Sequence, residues 1–118
     1  MTADFDVEVE KLRSAPISIS HTEYDLNVLR VSFKSTGARG DNWGGGSRHL
    51  LTFENVGSTG WMLRVVDERG DEVVVDQPAV VELLFGGDAE LRTLIKALKK
   101  VVTKAEKELK GRGLWPTP

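Results

Sequence analysis

Apolar and polar residues change their spacing along the chain, and the changes predict its elements. From Asp4 to Glu10 the pattern alternates, with Phe5, Val7 and Val9 on one side and acidic residues on the other. A period of two predicts a strand with an acidic outer face. Phe5, Val9 and Leu12 also sit at helical spacing, so a short helix is the rival reading. Ile17 and Ile19 follow Pro16 and open or extend a second short strand.

From Tyr24 to Ser35, Leu26 and Val28 are followed by Leu29, Val31 and Phe33, an alternation with a one-residue slip. Such a slip is what a β-bulge produces. Leu51, Phe53 and Val56 mark a further strand, and Gly57-Ser58-Thr59-Gly60 has turn composition. Residues 61–66 are expected to return as its partner. Glu68-Arg69-Gly70-Asp71 reads as a second turn leading into Val73-Val74-Val75. Residues 78–85 fit either a buried strand or a helical turn after Pro78, with the strand favoured by the β-branched residues before it and by Gly86-Gly87 after it.

The C-terminal pattern has a single reading. Leu91, Leu94, Ile95, Leu98, Val101, Val102, Ala105 and Leu109 fall on one stripe at 3.6-residue spacing, with Asp88 as the expected N-cap and Gly111 as the expected stop. A helix of that length can lie across a four- or five-stranded sheet and bury its stripe there. The predicted fold is therefore α+β, an antiparallel sheet of about four to five strands packed against one long C-terminal amphipathic helix. All 118 residues are expected to form one domain, with 1–3 and 113–118 frayed unless Trp115 tucks back.

Composition narrows the chemistry. The chain has no cysteine, which removes disulfides, thiolate metal sites and Cys nucleophiles and fits a reducing compartment. The acidic N-terminus resembles no secretory signal, and no apolar run approaches the ~20 residues that cross a bilayer. The expected location is cytoplasmic, with no membrane partner. Only His21 and His49 titrate near neutrality, and neither belongs to a metal-spaced pair. No cofactor, metal or catalytic residue is assigned. A small hydrolase around His49, read as an exposed strand residue, is the weakest alternative.

Two surfaces are candidates for binding. The glycine-rich loop 36–47 carries Arg39, Asp41, Asn42 and Trp43, with Arg48 just beyond it, and a Trp at a loop tip suits a protein contact or the stacking of an unpaired base. The second is a cationic ridge opposite the helical stripe, formed by Arg92, Lys96, Lys99, Lys100, Lys104, Lys107 and Lys110. It could track nucleic-acid phosphates, or be a solvated face whose cations favour the helix C-terminus. The helix has no aromatic anchor for a membrane interface. Residues 88–112 hold eight Lys/Arg against four Asp/Glu, so a chain of net charge −2 divides into a basic helix and an acidic remainder. Arg-Gly-Asp occurs at 39–41 and 69–71, where turn chemistry accounts for both copies.

These features favour a non-catalytic module that binds a protein partner, or a second copy of itself, as a regulator, inhibitor or immunity-type protein. A single-strand nucleic-acid binder using the helix ridge and Trp43 or Trp61 is the alternative.

Overall fold

The computed structural model describes residues 4–40 and 46–116. The elements run α1 (Phe5–Lys11), β1 (Ile17–Tyr24), β2 (Val28–Ser35), β3 (Arg48–Gly57), β4 (Met62–Val66), β5 (Glu72–Asp76), β6 (Val80–Gly86) and α2 (Asp88–Gly111). The fold is α+β: a four-stranded antiparallel sheet in the order β1-β2-β3-β6, a separate β4-β5 hairpin and the long C-terminal helix.

The N-terminal segment is the helix of the rival reading. Asp4 caps it, its Oδ1 accepting the N–H groups of Asp6 and Val7 at 3.1 and 3.5 Å. The buried positions are Glu8 and Leu12, four residues apart, while Phe5 and Val7 face solvent. The period-two pattern misled because the inner face of this short helix is built around a carboxylate.

β1 and β2 pair from Ile17↔Ser35 to Tyr24↔Val28, and the β2/β3 register shifts between Val28 and Leu29, where the sequence slips phase. Residues 78–85 follow the strand reading, as β6 pairs with β3 from Arg48↔Gly86 to Glu54↔Val80. Residues 61–66 depart from expectation, since β4 pairs with β5 and not with β3. Asn55 explains the departure: its Nδ2 donates to the Thr59 carbonyl at 2.9 Å and its Oδ1 accepts the Thr59 N–H at 3.1 Å. This bracket turns the chain out of the sheet, and β6 takes the vacant edge of β3. The hairpin is tied at its base by Trp61, whose Nε1–H donates to the Pro78 carbonyl at 2.7 Å. At its tip Asp67 Oδ1 accepts the N–H groups of Arg69 and Asp71, so the second Arg-Gly-Asp is a turn.

The register gives the large sheet two unlike faces. Ile17, Ile19, Leu29, Val31, Phe33, His49, Leu51, Phe53, Val81, Leu83 and Phe85 share one, together with Ser35, Asn55 and the exposed pair His21 and Glu23 towards one corner. The other carries Ser18, Ser20, Ser32, Thr52, Arg30, Glu54 and Glu82, with Leu50 and Leu84 near one end. The fully enclosed apolar core is confined to Leu12, Leu50 and Leu51 among the described residues.

α2 begins at Asp88 with Gly87, not Asp88, as its N-cap, and it runs through Gly111. It stops at Gly113, whose φ of 68° is the left-handed conformation glycine adopts freely. The Gly113 N–H reaches the Lys110 carbonyl at 3.2 Å and the Leu114 N–H reaches that of Leu109 at 2.7 Å, a Schellman cap. Trp115 folds back so that Lys110 Nζ lies 5.0 Å from its ring centroid. The helix does not lie across the sheet with its stripe buried, since none of its residues is buried.

Candidate interaction surface

The direction of α2 is set by a polar clamp at its first turn. The Asp88 carboxylate accepts the Ser47 hydroxyl at 2.7 Å and the N–H groups of Arg39 and Gly40 at 3.0 and 3.1 Å. Gly87 N–H donates to the Ser47 carbonyl at 3.2 Å, and His49 Nε2 donates to the Gly87 carbonyl at 3.1 Å. The Ser47 hydroxyl, followed by the two N–H groups, holds the Asp88 carboxyl below its ordinary pKa. Folding therefore gains from ionised Asp88 above its unfolded value, and the gain disappears as pH falls through the lower folded value.

Gly87 closes the clamp with φ 118° and ψ 148°, a conformation reserved for glycine. Gly87→Ala should cost on the order of 1–3 kcal/mol, read from urea denaturation. A variant as stable as the parent would remove Gly87 as the fixed point of the junction.

Held this way, α2 turns the wrong side toward its own sheet for burying the leucines. An open cleft of about 630 Å³ separates β6 from the helix, lined by Leu83, Leu84 and Phe85 on the strand and by Ala89, Glu90, Thr93, Leu94 and Ala97 on the helix. By helical spacing, Ala97, Thr93 and Ala89 lie about 100° to about 180° round the helix from the centre of the apolar stripe, and Leu94 is the stripe member that reaches the cleft. Ile95 and Leu98 are 43 % exposed, and Val101 and Val102 more so. The sheet's apolar face is likewise open, with Ile19 61 % and Leu83 46 % exposed. Soluble proteins rarely leave contiguous apolar surface of this kind uncovered.

The candidate residues named from sequence fall in different places. Asp41, Asn42 and Trp43 lie outside the described residues. Arg39 is exposed and contributes its backbone N–H to the clamp. Arg48 is a buried structural residue and not a surface group, its Nε 2.6 Å from Glu8 Oε2 and its side chain 3 % exposed. The ridge residues Arg92, Lys96, Lys99, Lys100, Lys104 and Lys107 are exposed and have no ion-pair partner among the described residues, whereas Lys110 pairs with Glu106.

His49 corrects the expectation of an exposed strand residue. It is fully buried, stacked on Phe33 at a centroid distance of 6.3 Å and tilted against Phe85 at 5.0 Å. Its Nδ1 is 2.8 Å from Ser35 Oγ, and with Nε2 engaged by Gly87 neither nitrogen reaches solvent. Burial pushes its pKa below the ordinary value. Among the described residues no group of three or more His, Asp or Glu is placed to hold a metal ion, and no helix is long and apolar enough to cross a membrane.

The apolar face was hard to read in advance because its members come from four strands whose order depends on β6 replacing β4. The strand alternations contained the signal, but assigning them to one face required the register.

Comparison with known proteins returns no match: no family profile, no curated protein and no solved structure is significantly similar to the chain.

Proposed function

We propose that this chain is a binding module that works through a protein–protein surface made of the apolar sheet face and the α2 stripe. The observation that carries the reading is that both faces are open in the same molecule. Ile17, Ile19, Phe33 and Leu83 on the sheet, with Leu98, Val101 and Val102 on the helix, are the groups a protein partner would cover. Apolar burial is the dominant favourable term in most protein association. Regulators, inhibitors and immunity-type proteins act through such surfaces without chemistry of their own, and a cysteine-free chain suits a reducing compartment such as the cytoplasm.

Site-specific photo-crosslinking tests the reading. A crosslinker at Ile19 or Leu98 should yield a protein adduct in native lysate, and one at Ser18, on the polar sheet face, should not. Adducts absent from both apolar positions would overturn the proposal.

The ridge cations of α2 that have no ion-pair partner among the described residues favour a second reading, a single-strand nucleic-acid contact along the ridge. It requires oligonucleotide affinity, measured by fluorescence anisotropy, that falls steeply with salt and is lost in Lys99→Glu/Lys100→Glu. Binding unchanged by that double substitution would dismiss the ridge.

A further inference from the structure

We infer that the occupant of this surface is a second copy of the chain, with the α2 stripe of each copy lying on the apolar sheet face of the other. The inference rests on the protein-binding reading above and identifies the partner. Four observations carry it.

The first is the clamp. Asp88 is bonded to Ser47, Arg39 and Gly40, and Gly87 to Ser47 and His49, so the exit of α2 is fixed on the side that gives β6 Ala89, Glu90, Thr93, Leu94 and Ala97, of which Leu94 alone belongs to the stripe. Turning the stripe onto its own sheet requires rotating the helix and breaking those bonds. The stripe is therefore available in trans.

The second is area. The accessible surface is 8873 Å², where a compact monomer of 13.0 kDa exposes about 6,300 Å². The radius of gyration is 16.4 Å, against about 13.5 Å for a compact chain of this length. The surplus of roughly 2,500 Å² per chain, to which the exposed β4-β5 hairpin also contributes, exceeds the ~800 Å² per partner of a standard interface.

The third is shape. From Leu91 to Leu109 the stripe extends about 27 Å, and an eight-residue strand such as β1 or β2 is about 26 Å long. A helix aligned with the strands covers the face without overhang. The fourth is charge. Residues 88–112 sum to +4 and the remainder to −6, so a basic helix meets a body of opposite net charge, with Glu23 as the acidic group that the register places on the covered face. Arg92 and Lys99 flank the stripe by helical spacing and would form the polar rim, where charge governs rate and register. A two-fold axis makes both contacts at once, as an isologous dimer requires.

Light scattering behind size exclusion, at micromolar concentration, should give twice the 13.0 kDa chain mass. Leu98→Asp/Val102→Asp should halve that mass, and Lys100→Glu, on the ridge opposite the stripe, should leave it unchanged. Because the double variant could also unfold, a photo-crosslinker at Leu98 is used in a mixture of isotopically light and heavy wild-type-like chains. Light-to-heavy adducts on Ile17, Ile19, Phe33 or Leu83 support the exchange. A monomeric wild type, adducts confined to one chain, or a dimer that survives Leu98→Asp/Val102→Asp would each overturn it. A monomer whose apolar positions still crosslink to a different protein leaves the binding reading standing. One with no adducts, or only internal ones, ends both.

Discussion

Glu8→Gln is expected to lower the unfolding free energy by about 3–5 kcal/mol, a large fraction of the stability of a domain this size. The Arg48 guanidinium is 3 % exposed, and Glu8 Oε2 lies 2.6 Å from its Nε. The carboxylate also accepts Lys11 Nζ at 3.3 Å. Replacing it with an amide removes the negative charge that Glu8 holds against a buried cation, and that loss is the main cost. Arg48→Met should be costly for the converse reason. The double variant Glu8→Leu/Arg48→Met removes both charges, so it should lose much less than the two single changes together. Urea denaturation of the four proteins gives the coupling energy. Additive losses would show that the pair does not act as a unit. The pair ties α1 to β3, and α1 brings Leu12, which is completely buried.

The same pair sets a pH dependence. The hydrogen bond from Arg48 holds the Glu8 carboxyl below its ordinary value of 4.5. A carboxylate with a depressed folded pKa stabilises the fold above its unfolded pKa, and that contribution is lost as pH falls through the folded one. Asp88 follows the same sign. Acid should therefore loosen the α1–β3 attachment and the helix clamp in the same direction.

Much of the scaffold is legible from residue pattern. The Val28/Leu29 phase slip, the turn at Glu68–Asp71 and the stripe of α2 each have a local physical cause, and each reappears as a bulge, a hairpin or a helix. Long-range choices are less legible. Nothing local in residues 61–66 says that they will pair with β5, because the decision rests on Asn55 bracing Thr59 and on β6 competing for the same edge. Glu8 and Arg48 look like surface charges until the fold places them 2.6 Å apart. The direction of α2 depends on a clamp whose parts come from residues 39, 40, 47, 49, 87 and 88, and no sequence period brings these together. The apolar stripe is legible as one face of a helix, while the tertiary clamp determines that it faces outward.

His49→Gln should lower stability near neutrality and remove a pH dependence that the parent shows on the acid side. In the parent, the Gly87 carbonyl can only accept, so Nε2 carries the proton and Nδ1 accepts from the Ser35 hydroxyl. Ser35 Oγ in turn accepts the Gly37 N–H at 2.8 Å, which binds the ring to the loop that carries Arg39 and Gly40. Protonating Nδ1 would reverse the Ser35 bond inside a site walled by Phe33 and Phe85. Burial is the main reason the pKa falls below 6.5. Arg48 lowers it further, while the Gly87 bond, Asp88 and Glu90 oppose the fall. The unfolded chain then binds more protons than the folded one between the folded pKa and 6.5. Stability must drop as pH falls through that window, by at most about 1.4 kcal/mol per unit for one site. His49→Gln has no proton to take up there, so its stability curve should be flat in the window until the carboxylates titrate. Equal slopes in parent and variant would mean that His49 is charged or exposed in the folded protein. If the parent alone loses stability in that window, the lock that aims α2 outward is itself acid-sensitive, because the ring donates to the carbonyl of Gly87.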